Sequence, residues 1–387
     1  MKELAKLKVA IVGIYLPKFR RDVGGPRAVF SYLADSYTTL KRSCKLNSDK
    51  IQIKFISQTY LNSTPFKGIE VEVVPIMRIL HLLKFIKLFI KERYNVINIQ
   101  GISELGALVS LLGKLMSSII VYSCHGLALV EKIQGRKVPW RLLILERIIV
   151  NLADYVTTVS NIFKKTIHAY FKNLKLEKIF VIYNGLDDDW INMDKEIPPK
   201  CPDIADKYLL FVGELSEIKG FDILLQAFFK LKNKYNNLKL VVVGKDSKGR
   251  FLKVLTQHSD SIIYIEKVKD LATLRNLYKC ALAFVLPSRI DSFPLTVIEA
   301  MSQGTPVVIT SNVGTSEIIE PYKSGLVVKV GDVNDLIEKL ELIITNHELS
   351  SNIGENARKL ASTLRWEMVL LYYIKLFKYL IQLRYKK

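Results

Sequence analysis

Cysteine is scarce in this chain: Cys44, Cys124, Cys201 and Cys280 are the four in 387 residues, and no two form a C-x-x-C pair. Such spacing indicates neither a zinc site nor a disulfide framework and predicts reduced, mostly buried thiols. No apolar run is long and clean enough to read as a membrane span. The longest, Leu105 to Tyr122, is interrupted by Lys114 and dotted with Gly and Ser, which suits a buried helix running into a strand. The opening MKELAKLKVAIVGIY passes from charges straight into a short strand, with no long apolar segment or small-residue cleavage site, so no signal peptide is expected. G-x-G-x-x-G is absent as well, which argues against a dinucleotide site.

What is present is ample apolar content and an uneven positive charge. With 49% hydrophobic residues over this length, two ordinary domains with buried cores are expected. The formal net charge is +20; residues 1–190 carry 29 Lys and Arg against 15 Asp and Glu, and residues 191–387 carry 28 against 22. Five of those later basic residues lie in the last 22 positions. The basic surface therefore belongs to the first half and the tail.

Short apolar runs recur at Val9–Ile14, Ile51–Ile56, Val71–Val74, Val96–Ile99, Ile119–Tyr122, Tyr155–Val159 and Phe180–Tyr183. They recur again at Leu209–Val212, Leu240–Val243, Ile262–Ile265, Leu282–Leu286, Val307–Thr310 and Leu326–Val330. Helical spacing fills most intervals, the mark of βα units and parallel sheets covered on both faces. Between the two series, the stretch around 191–207 is acidic, proline-containing and aperiodic, and reads as a linker. The resulting division is a domain over 1–190, a linker over 191–207, a second domain over 208–365 and an amphipathic helix over 366–387.

Pro287 to Pro306, PSRIDSFPLTVIEAMSQGTP, concentrates the chemistry. A strand end leads into a turn with Asp291, then a helix with Pro294 in its first turn and Glu299 within it. In a doubly wound sheet such a turn opens into the ligand crevice, with helix-start N–H groups suited to an anion. After the first strand, Gly24 and Gly25 precede another helix start, where a backbone can approach a ligand closely. His125 and Gly126 stand at the end of the fifth strand, a position open to a structural or a site role.

The spacing of Asp291 and Glu299 resembles the E-x7-E motif of the group 1 transferases, the retaining glycosyltransferase family 4, here written D-x7-E. FVGELSEIKGFDILLQAF resembles the family's "VGRL…KG…LL.AF" segment, TVS at 158–160 and NGLD at 184–187 its further signatures. The resemblance is clear over 208–335 and thinner before. It implies the GT-B fold, two Rossmann-like domains of α/β class facing across a cleft, with a last helix crossing back to the first. It also implies a hexosyl transfer from a nucleotide diphosphate sugar to a hydroxyl acceptor, with retention of configuration and no cofactor.

Residue by residue, the resemblance implies that Lys219 binds the donor diphosphate, Asp291 contacts the sugar and Glu299 holds the ribose. His125 would meet the sugar hydroxyls near the transferred carbon. Gly24, Gly25 and Gly213 would supply close backbone approaches, Val268 the segment that reads the base, and Phe293, Pro294, Leu295 and Thr296 the helix start, whose N–H groups come from all of these but Pro294. Glu214 replaces the family's arginine and Asp291 its glutamate. Metal independence is expected, because Asp187-Asp188-Asp189 lies beside the linker and no suitable D-x-D loop is present. Nucleotide-sugar epimerases share this fold, and a non-catalytic nucleotide-sugar-binding subunit would also fit Glu214; binding without turnover would mark the latter.

Two amphipathic segments bear on partners. A helical projection puts Arg78, His81, Lys84, Lys87 and Lys91 opposite Ile79, Leu82, Leu83, Ile86, Phe89 and Ile90, and the tail carries Lys375, Lys378, Gln382 and Lys386 as one stripe. Core packing and contact with anionic lipid both suit them. The expected partners are the nucleotide-sugar donor, a glycan or lipid-linked acceptor and an anionic membrane surface, with no specific nucleic acid. The expected location is cytoplasmic, peripheral on the membrane face.

Overall fold

The computed structural model describes residues 6–14, 25–43, 46, 50–59, 71–75, 79–133, 137–191, 207–268 and 270–386. They form two compact units, one of residues 1–185 with 366–387 and the other of residues 186–365. The chain thus enters the second unit at Leu186, ahead of the expected linker, which apart from Ile191 and Lys207 lies outside the described residues.

The first unit holds β1 (Leu7–Gly13), α1 (Gly25–Arg42), β2 (Ile51–Thr59), β3 (Val71–Pro75), α2 (Ile79–Glu92), β4 (Val96–Gln100), α3 (Glu104–Leu115), β5 (Ile119–Cys124), α4 (Ala128–Ile133), α5 (Trp140–Leu152), β6 (Tyr155–Thr158), α6 (Asn161–Tyr170) and β7 (Ile179–Val181). The strands lie in the order β3-β2-β1-β4-β5-β6-β7, all parallel. Parallel neighbours require crossovers, which cover both sheet faces, so these strands read as nearly unbroken apolar runs. Right-handed crossovers send α1 to one face and α2, α3, α5 and α6 to the other.

The second unit holds α7 (Asp188–Ile191), β8 (Tyr208–Val212), α8 (Phe221–Lys234), β9 (Lys239–Val243), α9 (Leu252–Gln257), β10 (Ile262–Ile265), α10 (Leu271–Lys279), β11 (Ala283–Leu286), α11 (Leu295–Ser302), β12 (Val307–Thr310), α12 (Ser316–Ile319), β13 (Leu326–Val328), α13 (Val333–Thr345) and α14 (His347–Thr363). Its parallel order is β10-β9-β8-β11-β12-β13. In each sheet the order reverses once, between β1 and β4 and between β8 and β11. That switch point is where ligands enter such sheets.

The chain returns to the first unit as α15 (Trp366–Tyr385), whose Trp366 stacks on Tyr32 of α1 with ring centroids 4.9 Å apart. Trp366, Leu370, Tyr373, Phe377 and Leu380 are buried, while Lys375, Lys378, Gln382 and Lys386 form the exposed stripe. The tail therefore buries its apolar face on its own unit.

Helix α2 differs from the helical projection. It buries Phe85 and Phe89 and partly covers Leu82 and Ile86, but Leu83 and Ile90, assigned to the apolar half, are exposed. Leu80 and Leu88 are exposed too. The sheet accepts a strip narrower than the apolar half, so the remaining leucines share the outer face with Lys84, Lys87 and Lys91. Arg78 lies outside the described residues.

The cysteine expectation also needs correction. Cys124 is a free, buried thiol, but Cys280 is disulfide-bonded, with a partner outside the described residues. Linear spacing carries no signal for it, since none of the four cysteines forms a C-x-x-C pair.

Candidate functional site

Lys219 and Asp291 come from the two loops that flank the switch point of the second sheet, one after β8 and the other after β11. Lys219 Nζ lies 2.5 Å from Asp291 Oδ2, and both side chains are largely shielded from solvent. Backbone bonds stitch the loops together: Arg289 N donates to Ile218 O at 2.8 Å, and Arg289 grips Asp222 of α8 through two bonds of 2.8 Å. The Asp222 carboxylate holds the Arg289 guanidinium above its ordinary range.

Gly220 caps α8 in the left-handed region at φ +70, and a Cβ there would sit 1.9 Å from the Pro287 carbonyl oxygen. Glycine is thus what lets the Lys219 loop lie against the end of β11. Gly213 ends β8 beside Gly244 at the end of β9; a Cβ on Gly244 would lie 1.8 Å from Gly213 O. Gly213 was anticipated, its partner Gly244 was not.

Asp291 leads through buried Phe293 and Pro294 into α11, whose first turn contains Leu295 and Thr296. The first amides of a helix lack intrahelical acceptors and attract anions. One turn further, Glu299 Oε2 accepts a hydrogen bond from Tyr278 OH at 3.2 Å. Burial pushes the Glu299 carboxyl up to about 7, a rise that the Tyr278 hydrogen bond partly opposes. Tyr278 packs edge-on against Trp190 and Phe284 and accepts from Thr305 Oγ1 through its backbone carbonyl at 2.6 Å. Val268 is half-buried in the turn after β10. Lys219, Asp291, Gly213, Val268 and the α11 start thus all sit at carboxyl ends of strands in one sheet.

In the first unit His125 follows β5, buried, with Nε2 2.7 Å from Gln100 Oε1 at the end of β4. Burial lowers the imidazole to about 4. Glu146 of α5 fixes the next turn by accepting from Ala128 N at 3.2 Å, and burial raises its carboxyl to about 7. Gly25 begins α1, whereas Gly24 lies outside the described residues. Tyr278, Gln100 and Glu146 escaped sequence reasoning; each sits in an ordinary-looking helix or strand, and only the fold shows what it touches. Among the described residues no cluster of three or more His, Cys, Asp or Glu could hold a metal ion.

Two parallel α/β units, each with candidate groups at the carboxyl ends of its strands, define a GT-B architecture. The crystal structure of Anabaena HepE in complex with UDP superimposes with a TM-score of 0.69 at 17% identity, covering 96% of this chain and 100% of that one. A family model described as "Glycosyl transferases group 1" matches residues 194–360, and one described as "Glycosyltransferase Family 4" matches residues 55–190. The chain belongs to the group 1, family 4 glycosyltransferases.

Among curated relatives, the capsular polysaccharide biosynthesis glycosyltransferase CapM of Staphylococcus aureus is 27% identical over 304 residues, 74% of this chain and 78% of that protein. The Campylobacter jejuni N,N'-diacetylbacillosaminyl-diphospho-undecaprenol alpha-1,3-N-acetylgalactosaminyltransferase is 26% identical over 212 residues, 54% of this chain and 53% of that protein. The chain spans about half the length of several relatives that it matches.

Proposed function

We propose that the protein transfers a hexosyl unit, with retention of configuration, from a nucleoside diphosphate sugar to a hydroxyl of a lipid-linked or membrane-proximal glycan. The observation that carries this reading is the Lys219–Asp291 pair at the switch point, beside the α11 start and one helical turn from Glu299. Breaking the sugar–phosphate bond leaves charge on the diphosphate, and preorganised cations and N–H groups stabilise that charge as it develops. Lys219 and the backbone N–H groups of Phe293, Leu295 and Thr296 fill this role, so transfer proceeds without a metal. An arriving diphosphate competes for Lys219 and frees Asp291 to accept from a sugar hydroxyl. Glu299 accepts from the ribose, Val268 lies along the base, His125 meets the sugar, and Gly24 with Gly25 admits the phosphate and acceptor. The HepE complex with UDP supports a nucleotide donor.

The lipid-side acceptor draws support from the outer face of the first unit and from the undecaprenol-linked substrate named for the C. jejuni relative. Trp140, Ile144 and Ile148 recur every fourth residue along the exposed side of α5, with Trp140 72% exposed. Leu111 and Leu115 of the adjoining α3 and Leu80, Leu83, Leu88 and Ile90 of α2 are exposed as well. Single exposed leucines are ordinary, but rows of them with a tryptophan suit an interface. The exposed charged residues of these three helices are Lys84, Lys87, Lys91, Lys114, Arg141 and Arg147; no Asp or Glu among them is exposed. Apolar rows rimmed by cations fit an anionic leaflet, the cytoplasmic one in this reading. No helix among the described residues is long and apolar enough to cross a membrane.

The test is mass-spectrometric detection of glycosyl transfer from a panel of nucleotide sugars to polyprenyl-linked acceptors. Nucleotide-sugar binding without turnover on any acceptor would reject the enzymatic reading in favour of a binding subunit.

A further inference from the structure

Asn98 and Gln100 are buried amide side chains, 0% and 3% exposed, in a parallel strand that is otherwise apolar. Burying an amide is costly unless its groups are hydrogen-bonded, so the bonds they make need an account. Asn98 Nδ2 lies 3.2 Å from the Val121 carbonyl oxygen and 2.8 Å from Ser123 Oγ. A carbonyl can only accept. The amide nitrogen of Asn98 must therefore face Val121, which turns its Oδ1 toward Gln100. Gln100 answers with Nε2, 2.6 Å away. That leaves Gln100 Oε1 facing His125 Nε2 at 2.7 Å, and this contact is a hydrogen bond only if Nε2 carries the hydrogen.

Thr157 Oγ1 donates to the same Ser123 Oγ at 2.7 Å, and Tyr373 OH of α15 lies 3.4 Å from Thr157 Oγ1. Strands β4, β5 and β6 are held in register here, Gln100 opposite Ser123 and Ser123 opposite Thr157. The network is thus anchored at a backbone carbonyl and braced by a third strand and a helix, and each amide can point only one way.

The geometry points to Asn98 and Gln100 as positioning residues that hold His125 in its Nε2–H tautomer, which makes Nδ1, buried in this structure, the ring's acceptor toward any substrate hydroxyl that reaches it. Because burial keeps the ring neutral at pH 7, the second nitrogen carries a lone pair and no proton. The choice matters for a sugar: a hydroxyl must donate toward His125, which leaves its oxygen lone pairs to other groups. The substrate part of this inference rests on the proposed function; the tautomer itself does not.

Two-bond proton–nitrogen spectra of the 15N-labelled full-length protein test it, with the His125 signal assigned by its loss in His125→Phe. The expected result at pH 7 is one neutral Nε2–H species; an Nδ1–H tautomer or an imidazolium would overturn the inference. Gln100→Met removes the acceptor, and the expected result is mixed tautomers with a roughly tenfold loss of kcat/KM, the size of one misdirected hydrogen bond, alongside a lowered melting temperature because Asn98 Oδ1 loses its donor. A single Nε2–H tautomer retained in that variant would also overturn it. Should Gln100→Met fail to fold, Asn98→Ser gives the same reading one bond further away. A wild-type protein that transfers no sugar rejects the functional reading alone and leaves the spectrum to decide the tautomer.

Discussion

Lys219 and Asp291 stand 72 positions apart in sequence and 2.5 Å apart in the fold, charge against charge at the one point where the strand order of their sheet reverses. A partly shielded cation held by a single carboxylate is ready to exchange that partner for a diphosphate, which offers more charge and more acceptor oxygens. Lys219→Ala is therefore expected to lower kcat by at least about tenfold, since the lost group would stabilise charge that grows as the leaving group departs. Steady-state kinetics with the identified donor decide this; an unchanged kcat would remove Lys219 from the leaving-group role.

Glu214 stands where the resembled pattern has an arginine, and it follows β8 by two residues on the loop that leads to Lys219. Glu214→Arg is expected to raise donor affinity by adding a cation near the diphosphate. Calorimetric titration of the nucleoside diphosphate measures this. If the variant loses activity instead, Glu214 has a task of its own.

How much of this was legible beforehand differs by kind of feature. All thirteen strands among the described residues were, because strands of a doubly covered parallel sheet appear as apolar runs with helical spacers. The Lys219 and Asp291 positions were legible through motif spacing, but their ion pair was not, since nothing local links the two loops. Tyr278, in the helix NLYKC, looks like any amphipathic tyrosine until β11 and α11 bring Glu299 to its hydroxyl. Helix α2 shows the limit of a projection: it gives the period of the apolar residues but not how wide a strip the sheet will cover.

Glu299 predicts a pH dependence whose sign is fixed by its raised carboxyl. With a folded value of about 7, the free protein holds Glu299 largely protonated below that pH, whereas two ribose hydroxyls call for the carboxylate. Binding below pH 7 must therefore release a proton, and affinity is expected to rise with pH toward about 7 and then level off. The diphosphate also ionises in this region, so Glu299→Gln is the control: it should bind more weakly at pH 8 and lose the part of the slope due to the carboxyl. Equal slopes in the two proteins would exclude Glu299 from the ribose.

Gly220→Ala should destabilise the second unit and disturb the donor site together. The left-handed φ of +70 is strained for alanine, and the new Cβ would strike the Pro287 carbonyl at 1.9 Å, so the Lys219 loop must move away from β11. A cost of about 1–3 kcal/mol is expected from such strain. Denaturant unfolding followed alongside nucleotide titration checks it; retained stability and affinity would mean that the loop has room the geometry does not show.

The last prediction concerns the rows on α2, α3 and α5. Two separable forces act at an anionic leaflet: each Lys or Arg near the surface contributes about 1 kcal/mol and is screened by salt, whereas an inserted aromatic is not. Lys84→Glu with Lys87→Glu should therefore reduce the salt-sensitive part of binding to vesicles containing anionic lipid. Trp140→Ala with Ile144→Ser should weaken the part that survives at high salt, because Trp140 is 72% exposed and Ile144 lies one turn along the same side. Cosedimentation at low and high salt separates the two contributions. Vesicle binding unaffected by both pairs of substitutions would move the contact to another surface, and no binding to anionic vesicles even at low salt would remove the membrane from the proposed function while leaving sugar transfer intact.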